Sequence, residues 1–166
     1  MKILELTTFS AGICGVWARV REEASRLADK GNEVRVFSSN FTKGSEEITK
    51  REDKFGKTGN VKILRFPAKK LGGESFMSWD FEKEALEFSP EIIIAHSYRH
   101  THTIKALKVA ERLRELGKKC KVFLVTHAPF ERGSTRGLLS KFAVWYYDKF
   151  IGSMTINKFD KVIAIT

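Results

Sequence analysis

The strongest constraint on the fold is a change of hydrophobic period near the N-terminus. Residues 2–7 form a short, mostly apolar run, which is typical of a buried β-strand. Between Gly15 and Gly31, apolar residues recur at the spacing of an amphipathic helix, and Gly31 suits the turn that follows a helix end. A second strand-like run follows at residues 34–37. This strand–loop–helix–strand unit predicts a doubly wound parallel sheet.

The loop between the first strand and the helix contains groups that could bind a ligand. Residues 9–15 contain Gly12 and Gly15 and lead into a helix N-terminus, where free backbone N–H groups can hold an anion such as a diphosphate. The loop is neither a G-x-G-x-x-G fingerprint nor a P-loop. Two hypotheses therefore stand: a diphosphate-binding loop, or a tight turn that needs glycine for packing alone.

The remaining chain continues the alternation of strands and helices. Further strands are predicted at the apolar runs 61–66, 92–95, 122–125 and 162–165. Helices are predicted at about 79–88, 103–116 and 136–158. Residues 40–60 are polar and predict a surface loop. We expect one Rossmann-like α/β/α domain over residues 1–166, although Glu5 does not fit a strand covered on both faces.

Composition excludes several other classes of protein. No apolar run reaches the roughly 20 residues that span a bilayer, and no signal peptide is visible. Cys14 and Cys120 match no disulfide or metal spacing, which favours a reducing, cytoplasmic setting. His96, His100 and His102 lie close in sequence but lack a fourth ligand and an acidic partner. We expect no metal and no other cofactor.

The positive charge is unevenly distributed. Of the formal net charge of +10, residues 1–98 contribute 16 basic against 15 acidic side chains, and residues 99–158 contribute 13 against 4. Such an excess suits a phosphorylated ligand, an anionic membrane or a solvated surface. Nucleic acid is not an expected partner, because no recognition motif accompanies the charge.

The aromatic segment from Gly137 to Phe159 has two possible roles. It is rich in apolar residues and also carries Lys141, Lys149 and Lys158. We favour a core helix that covers the sheet, with its large aromatic residues buried. The alternative is peripheral contact with an anionic membrane at the inner face of the cell.

Four groups of residues resemble one family in the same order along the chain. They are Cys14-Gly15-Val16 with Gly31-Asn32-Glu33-Val34, the strand end Pro90 to Ser97, Val125-Thr126-His127, and the closing run Phe159 to Thr166. They resemble the Gly-Gly-Val, Gly-His-Glu-Val, Pro-Asp-Ile-Ile-His-Ala-His-Ser, Thr-x-His and Ala-Asp-Lys-Val-Ile-Ala-Val-Ser segments of the N-terminal domain of family 4 glycosyltransferases, which have the GT-B fold.

The resemblance implies transfer of a sugar from a nucleotide-sugar donor to a hydroxyl acceptor, with retention and without a metal. This chain would be the acceptor-side domain. The family's donor-binding C-terminal domain, with its Glu-x7-Glu motif, is not found in the sequence, so we expect the isolated chain to be inactive. The alternatives are a non-catalytic Rossmann-like binding module or regulatory subunit and, less favoured, a GT-B sugar-nucleotide epimerase.

The resemblance also implies site residues. Gly12 and Gly15 would approach the donor diphosphate, and His127 would contact the reacting sugar as a catalytic residue. The predicted acceptor contacts are His96, Tyr98, Glu131 and Arg132, of which Glu131 and Arg132 fit a solvated loop equally well. Because ligands bind outside the carboxyl ends of parallel strands, we expect Gly15, His96 and His127 to point into one crevice.

Overall fold

The computed structural model describes residues 1–45, 47–57, 59–70, 76–127 and 137–165. Within these residues the strands are β1 (Lys2–Leu6), β2 (Glu33–Ser39), β3 (Glu52–Phe55), β4 (Val61–Phe66), β5 (Ala68–Lys70), β6 (Met77–Trp79), β7 (Ile92–His96), β8 (Lys121–Thr126) and β9 (Lys161–Ala164). The helices are α1 (Gly15–Asp29), α2 (Glu82–Phe88), α3 (Thr101–Glu115) and α4 (Leu138–Tyr146). The last helix continues through a π-helical turn (Tyr147–Gly152), α5 (Ser153–Thr155) and a 3-10 turn (Ile156–Lys158).

One sheet organises the domain. Its strand order is β3-β4-β2-β1-β7-β8-β9, and β5 pairs with β6 in a separate hairpin. All neighbours in the main sheet are parallel except β3 and β4. The predicted α/β fold with a doubly wound parallel sheet is confirmed, and the six predicted strands are all present. The order places β1, β7 and β8 side by side at the centre.

The segment 40–60, predicted as a loop, contains a strand that the sequence pattern did not reveal. Glu52–Phe55 pairs antiparallel with β4 at the sheet edge. Along it, exposed residues alternate with half-buried ones, and three of its four side chains are charged. Charged side chains are a common protection of edge strands, and here they hide the apolar pattern that identifies a strand.

Apolar layers cover both faces of the sheet. On one face, α1 buries Val20, Ala24 and Ala28, the stripe that the helical period predicts. On the other, the buried face of α3 packs with α2 and its neighbours; its apolar members are Ala106, Leu107, Val109, Ala110 and Leu113. The burial of both helices follows from their period of 3.6 residues.

The favoured prediction for the C-terminal helical segment, a core helix, is wrong for five of its large apolar residues. Five large apolar side chains recur at every fourth position and are exposed, namely Leu138, Phe142, Tyr146, Phe150 and Met154. We call them the exposed stripe. Trp145 is half-buried. Within the described residues, no helix is long and apolar enough to cross a membrane.

Candidate functional site

A cavity of about 230 Å³ opens at the carboxyl ends of β1, β7 and β8. This is the edge at which an open α/β sheet presents ligand sites. Three segments and a lysine line it; the residues are Thr7, Thr8, Phe9, Cys14, Val16, Lys43, Ser97, Tyr98, Arg99, His100 and His127. Most of the lining surface is apolar, and hydroxyl, imidazole, phenol and cationic groups are set into it.

The two glycines of the loop after β1 differ in what requires them. Gly12 has φ +83°, and a Cβ there would lie 2.4 Å from the carbonyl oxygen of Lys43. Its glycine is therefore explained by packing of the protein itself. Gly15 begins α1, and a Cβ there would meet no atom of the described part of the chain within 4 Å. Glycine at that position weakens the helix slightly, and no packing contact with residues that the structure describes requires it.

A buried arginine fixes the first half of the same loop. The Arg65 guanidinium donates to Ser10 Oγ (2.7 Å), to the Ser10 carbonyl (3.1 Å) and to the Lys50 carbonyl (3.1 Å). The hydroxyls of Ser10 and Ser38 lie 2.7 Å apart, and Asp53 lies 3.6 Å from the guanidinium. We call this group the arginine clamp. It ties the loop to β2, to β4 and to the segment before β3.

A second buried polar group lies under the cavity. His127 follows β8 and lines the cavity, and its Nε2 lies 2.8 Å from Nδ1 of His96, at the end of β7. The other ring nitrogen of His96, Nε2, lies 2.6 Å from Oε2 of Glu5 on β1. Glu5 and His96 are both fully buried. The structure thus accounts for the unexplained Glu5: it is the inner end of a three-residue chain that reaches the cavity.

Burial keeps the hydrogen-bonded side chains of Glu5, His96 and His127 uncharged at neutral pH. Removal from water raises the pKa of Glu5 to about 8, opposed by the positive charge of Arg19. The same loss of hydration lowers the pKa of His96 to about 4. It also lowers the pKa of His127 to about 4, with a further contribution from His96. Glu5 and His96 therefore form a neutral hydrogen bond rather than an ion pair.

Glu23 on α1 lies beside the hydrogen-bonded residues Glu5 and His96. Burial first, and then the neighbouring Glu5, raises the pKa of the Glu23 carboxyl. Ligand atoms of Glu5, Glu23 and His96 lie within 4.8 Å of one another, a spacing that a metal ion can bridge. However, both ring nitrogens of His96 are already hydrogen-bonded, so a metal would have to displace Glu5 or His127. The group fits proton sharing better than metal binding.

The loop after β7 is held in an uncommon backbone conformation. Ser97 and Arg99 have φ +77° and +67°, values that non-glycine residues adopt rarely. Thr103 Oγ1 donates to the Ser97 carbonyl (2.8 Å). Arg99 makes a bidentate pair with Asp148 (2.7 and 2.8 Å), which connects this wall of the cavity to the C-terminal helical segment. The conformation turns residues 97–100 toward the cavity.

The structure brings some predicted site residues together and separates others. His127 and Tyr98 line the cavity, and Gly15 lies between two lining residues at its edge. His96 departs from the expectation that it points into the crevice: it is buried beneath His127, because both of its ring nitrogens bond within the protein. Glu131 and Arg132 lie outside the described residues.

The sequence-based prediction did not include two cationic residues that line the cavity. Lys43 comes from the segment predicted as a loop, and its backbone N–H donates to the Ala11 carbonyl (3.0 Å) beside Gly12. Arg99 follows the β7 strand end by three residues. The position of Arg99 after a central strand was a usable signal, whereas nothing in the sequence ties Lys43 to the loop after β1.

The fold and the cavity define a class of protein, a Rossmann-like α/β domain with a cavity at the carboxyl edge of its parallel sheet. The sequence matches the model of Glycosyltransferase Family 4 over residues 13–166, so the chain belongs to that family. The resemblance described above is confirmed. No curated protein sequence matches the chain.

One solved structure with a TM-score above 0.5 agrees on the fold. Sucrose-phosphate synthase from Thermosynechococcus elongatus superposes with a TM-score of 0.54 at 11% identity, over 99% of this chain and 47% of that protein. The α,α-trehalose-phosphate synthase (UDP-forming) from Burkholderia vietnamiensis gives a TM-score of 0.46 at 14% identity, over 97% and 38%. The chain thus spans about half the length of the sucrose-phosphate synthase structure.

Proposed function

We propose that this chain is the N-terminal, acceptor-side domain of a glycosyltransferase that moves a sugar from a nucleotide-sugar donor to a hydroxyl acceptor, with retention and without a metal. The observation that carries the proposal is the meeting of His127 and the N-terminus of α1 at one cavity on the carboxyl edge of the sheet. Family membership supplies the class of reaction. The name of the similar sucrose-phosphate synthase agrees with sugar transfer as that class.

The loop side of the cavity suits the donor diphosphate. The first-turn N–H groups of α1 have no acceptor within the helix, and the helix dipole adds positive potential there. Gly15 leaves room for an anion to approach them, since no atom of the described residues fills the place of its absent Cβ. Lys43 adds positive charge to the same cavity, whereas the charge of Arg99 is largely compensated by Asp148. These features favour the diphosphate hypothesis for Gly15, while Gly12 serves the shape of the loop.

His127 suits a sugar hydroxyl on the other side. Its Nε2 bonds to His96, which leaves Nδ1 as the ring nitrogen that His96 does not engage. With a pKa of about 4, the ring is a weak proton acceptor at neutral pH. We therefore assign it a hydrogen-bonding role that orients the sugar beside the reaction centre, rather than the role of a general base. Tyr98 lines the same cavity and is a candidate acceptor contact.

We further propose that a second domain supplies the remaining wall of the donor site. Departure of a nucleoside diphosphate develops negative charge that needs fixed positive groups around it. A cavity of about 230 Å³ is small for a whole nucleotide sugar, because ligand pockets commonly measure roughly 300–1,000 Å³. The isolated 166-residue chain should therefore bind nucleotide sugars weakly and transfer no sugar.

The proposal is tested by titrating the ¹⁵N-labelled chain with a panel of nucleotide sugars and following its amide resonances. We expect weak, saturable shifts centred on Gly15, Val16 and His127. Gly15→Val should abolish them by filling the space above the first turn of α1, whereas Ala18→Val, at an exposed position of the same helix, should not. Shifts that avoid this region, or robust sugar transfer by the isolated chain, would contradict the proposal.

A specific observation also favours contact with an anionic membrane surface. The exposed stripe runs along one helical segment, and Lys149 lies 5.0 Å from the ring of Trp145 and 5.6 Å from that of Phe150. Lys141 and Lys158, both exposed, lie on the same segment. Apolar side chains flanked by lysines match the combination of acyl chains and anionic headgroups in a bilayer surface.

Vesicle sedimentation tests this contact. The chain should bind vesicles that contain an anionic phospholipid more strongly than neutral vesicles, and Phe142→Ser should weaken the binding. Leu116→Ser, which removes an exposed apolar side chain at the end of α3, is the matched control and should have no effect. Equal binding to both vesicle types, or self-association through the stripe without binding to either, would contradict membrane contact.

A further inference from the structure

We propose that Glu5 determines, through His96, whether the Nδ1 atom of His127 donates or accepts a hydrogen bond. The carboxyl buried in the centre of the sheet is then a positioning residue that controls the chemistry of a cavity it does not touch. The existence of the coupling rests on the geometry of the three residues alone. Its consequence for a sugar ligand rests on the function proposed above.

When Glu5 carries a proton, the proton lies on Oε2, because a proton on the buried Oε1 would have no acceptor among the described residues. The geometry then leaves two neutral arrangements of the imidazoles, since each link has a single bridging proton. With Glu5 protonated, its O–H donates to Nε2 of His96, Nδ1–H of His96 donates to Nε2 of His127, and His127 carries its own proton on Nδ1. With Glu5 ionised, Nε2–H of His96 donates to the carboxylate, Nε2–H of His127 donates to Nδ1 of His96, and Nδ1 of His127 is bare. The two states differ by one proton, which leaves to solvent from the cavity end.

The surroundings of Glu5 allow both its protonated and its ionised form within an accessible pH range. Oε1 of Glu5 is buried and has no hydrogen-bond partner among the described residues. An ionised carboxylate there has one donor, His96, where it would normally have several, so the neutral form is favoured. Consistent with this, burial raises the pKa of Glu5 to about 8 and leaves both histidines neutral through that range.

Other charged groups modulate the chain without joining it. Glu23 and Arg19 face it from α1. Arg19 lowers the pKa of Glu5 and of His96, whereas Glu23 raises the pKa of His96. Glu23 lies in the same small group of ligand atoms, but no hydrogen bond joins it to His96 or to Glu5 in the described structure. This makes Glu23 a matched control: it is a carboxyl in the same electrostatic surroundings that lacks the link.

The coupling has a chemical consequence for the ligand. Below the pH at which Glu5 ionises, Nδ1–H of His127 is a donor that suits a sugar oxygen or a phosphate oxygen. Above it, bare Nδ1 accepts from a sugar hydroxyl and rejects an anionic oxygen. A ligand that presents an oxygen lone pair to His127 should therefore bind less tightly as the pH rises through the ionisation of Glu5.

The test is ¹⁵N NMR of the imidazole rings in the histidine-labelled chain from pH 6.5 to 9.5, without any ligand. In the wild type, the Nδ1 and Nε2 resonances of His127 should exchange protonated and unprotonated character in one titration with a midpoint near pH 8. Glu5→Gln should remove the titration, whichever tautomer the amide selects. Glu23→Gln should keep it, with at most a shifted midpoint.

Three NMR results would decide against the coupling between Glu5 and His127. A His127 tautomer that does not change with pH in the wild type, or that still titrates in Glu5→Gln, overturns the inference. Loss of the titration in Glu23→Gln would mean that the Glu23 carboxyl also sets the tautomer of His127, and this result overturns the inference as well. If Glu5→Gln does not fold, the wild-type titration together with ¹³C detection of the Glu5 carboxyl midpoint gives the same decision. The readout needs no sugar, so it stands or falls separately from the proposed function.

Discussion

Two buried polar groups flank the carboxyl end of β1, and they are satisfied to different degrees. In the arginine clamp, the Arg65 guanidinium donates to a hydroxyl and to two carbonyls, and it lies near a carboxylate. In the chain from Glu5 to His127, one carboxyl oxygen has no partner among the described residues and the far end opens on the cavity. A group whose polar atoms all have hydrogen-bond partners can only hold the backbone in place. A group with an unpartnered carboxyl oxygen can exist in two protonation states.

The same division runs along the loop after β1. Its first half, with Ser10 and Gly12, is packed against Arg65 and Lys43. Its second half, with Cys14 and Gly15, lies at the cavity. The comparison therefore predicts stability effects on one side and effects on ligand or pH response on the other.

The largest effect is expected from the clamp. Arg65→Met leaves the buried carbonyls of Ser10 and Lys50 without their donor, which should lower the free energy of unfolding by about 3 kcal/mol. Arg51→Met is the control, since it removes an exposed ion pair with Glu84 and should cost roughly 0.5 kcal/mol. Urea denaturation measures both. Equal midpoints for the two variants would mean that Arg65 holds nothing.

His127 should behave in the opposite way. In the transferase that contains this chain, His127→Ala should lower turnover by about 10²-fold, which corresponds to about 2.7 kcal/mol in the transition state. Because His127 is only half-buried, its removal should cost far less stability than Leu124→Ala, a fully buried truncation worth roughly 2–5 kcal/mol. Sugar-transfer assays and thermal melts decide. Unchanged turnover would make His127 a structural residue.

Glu5 should make stability depend on pH. Its pKa rises from 4.5 in the unfolded chain to about 8 in the folded one, so the folded state holds a proton that the unfolded state has lost. The stabilisation is complete below pH 4.5 and declines as the pH rises through 8, by about 2 kcal/mol between pH 6.5 and 8. Below pH 6.5 the depressed pKa values of His96 and His127 act in the opposite sense, and stability falls as they protonate on unfolding.

Denaturation at several pH values should therefore give a stability maximum near pH 6.5. In Glu5→Gln the decline above the maximum should shrink markedly, while the loss below it should persist. A wild-type profile that is flat from pH 6.5 to 8.5 would be inconsistent with a protonated Glu5.

The smallest effect on stability is expected at Gly15, and this separates it from Gly12. Gly12→Ala should cost roughly 1–3 kcal/mol, because its φ is positive and the new Cβ would collide with the Lys43 backbone. Gly15→Ala should leave stability unchanged or raise it by up to about 1 kcal/mol, since alanine favours the helix. The same variant should weaken nucleotide-sugar binding several-fold. A Gly15→Ala chain that is destabilised as much as Gly12→Ala would assign both glycines to packing.

The sequence predicted the elements whose patterns are local. The continuous apolar runs of β7 and β8 and the helical period of α1 depend only on neighbouring residues, and they were located within a few positions. The convergence of residues 15 and 127 followed from a general property of parallel sheets. The edge strand β3 was missed because its identity lies in its pairing with β4 rather than in its own composition.

The polar chain was beyond sequence reasoning for a related reason. Glu5 was visible as an anomaly, but its partner is set by the register between β1 and β7, in which Glu5 lies opposite Ile94 and His96 follows two residues later. The exposed stripe shows the converse limit. Apolar period identified a helix, yet period alone does not say what the apolar face contacts.

The separation of Glu5 and His96 along the chain has a consequence for how the domain folds. The two residues are 91 positions apart, and they meet only when the parallel pairing of β1 with β7 closes the intervening segment. Long-range parallel pairings form slowly, because loop entropy is lost before any contact compensates for it. In the open chain Glu5 is ionised at neutral pH, so closing the sheet must draw a proton from solvent. Assembly of the centre of this domain is thus a protonation-coupled step, and the refolding rate should decrease as the pH is raised.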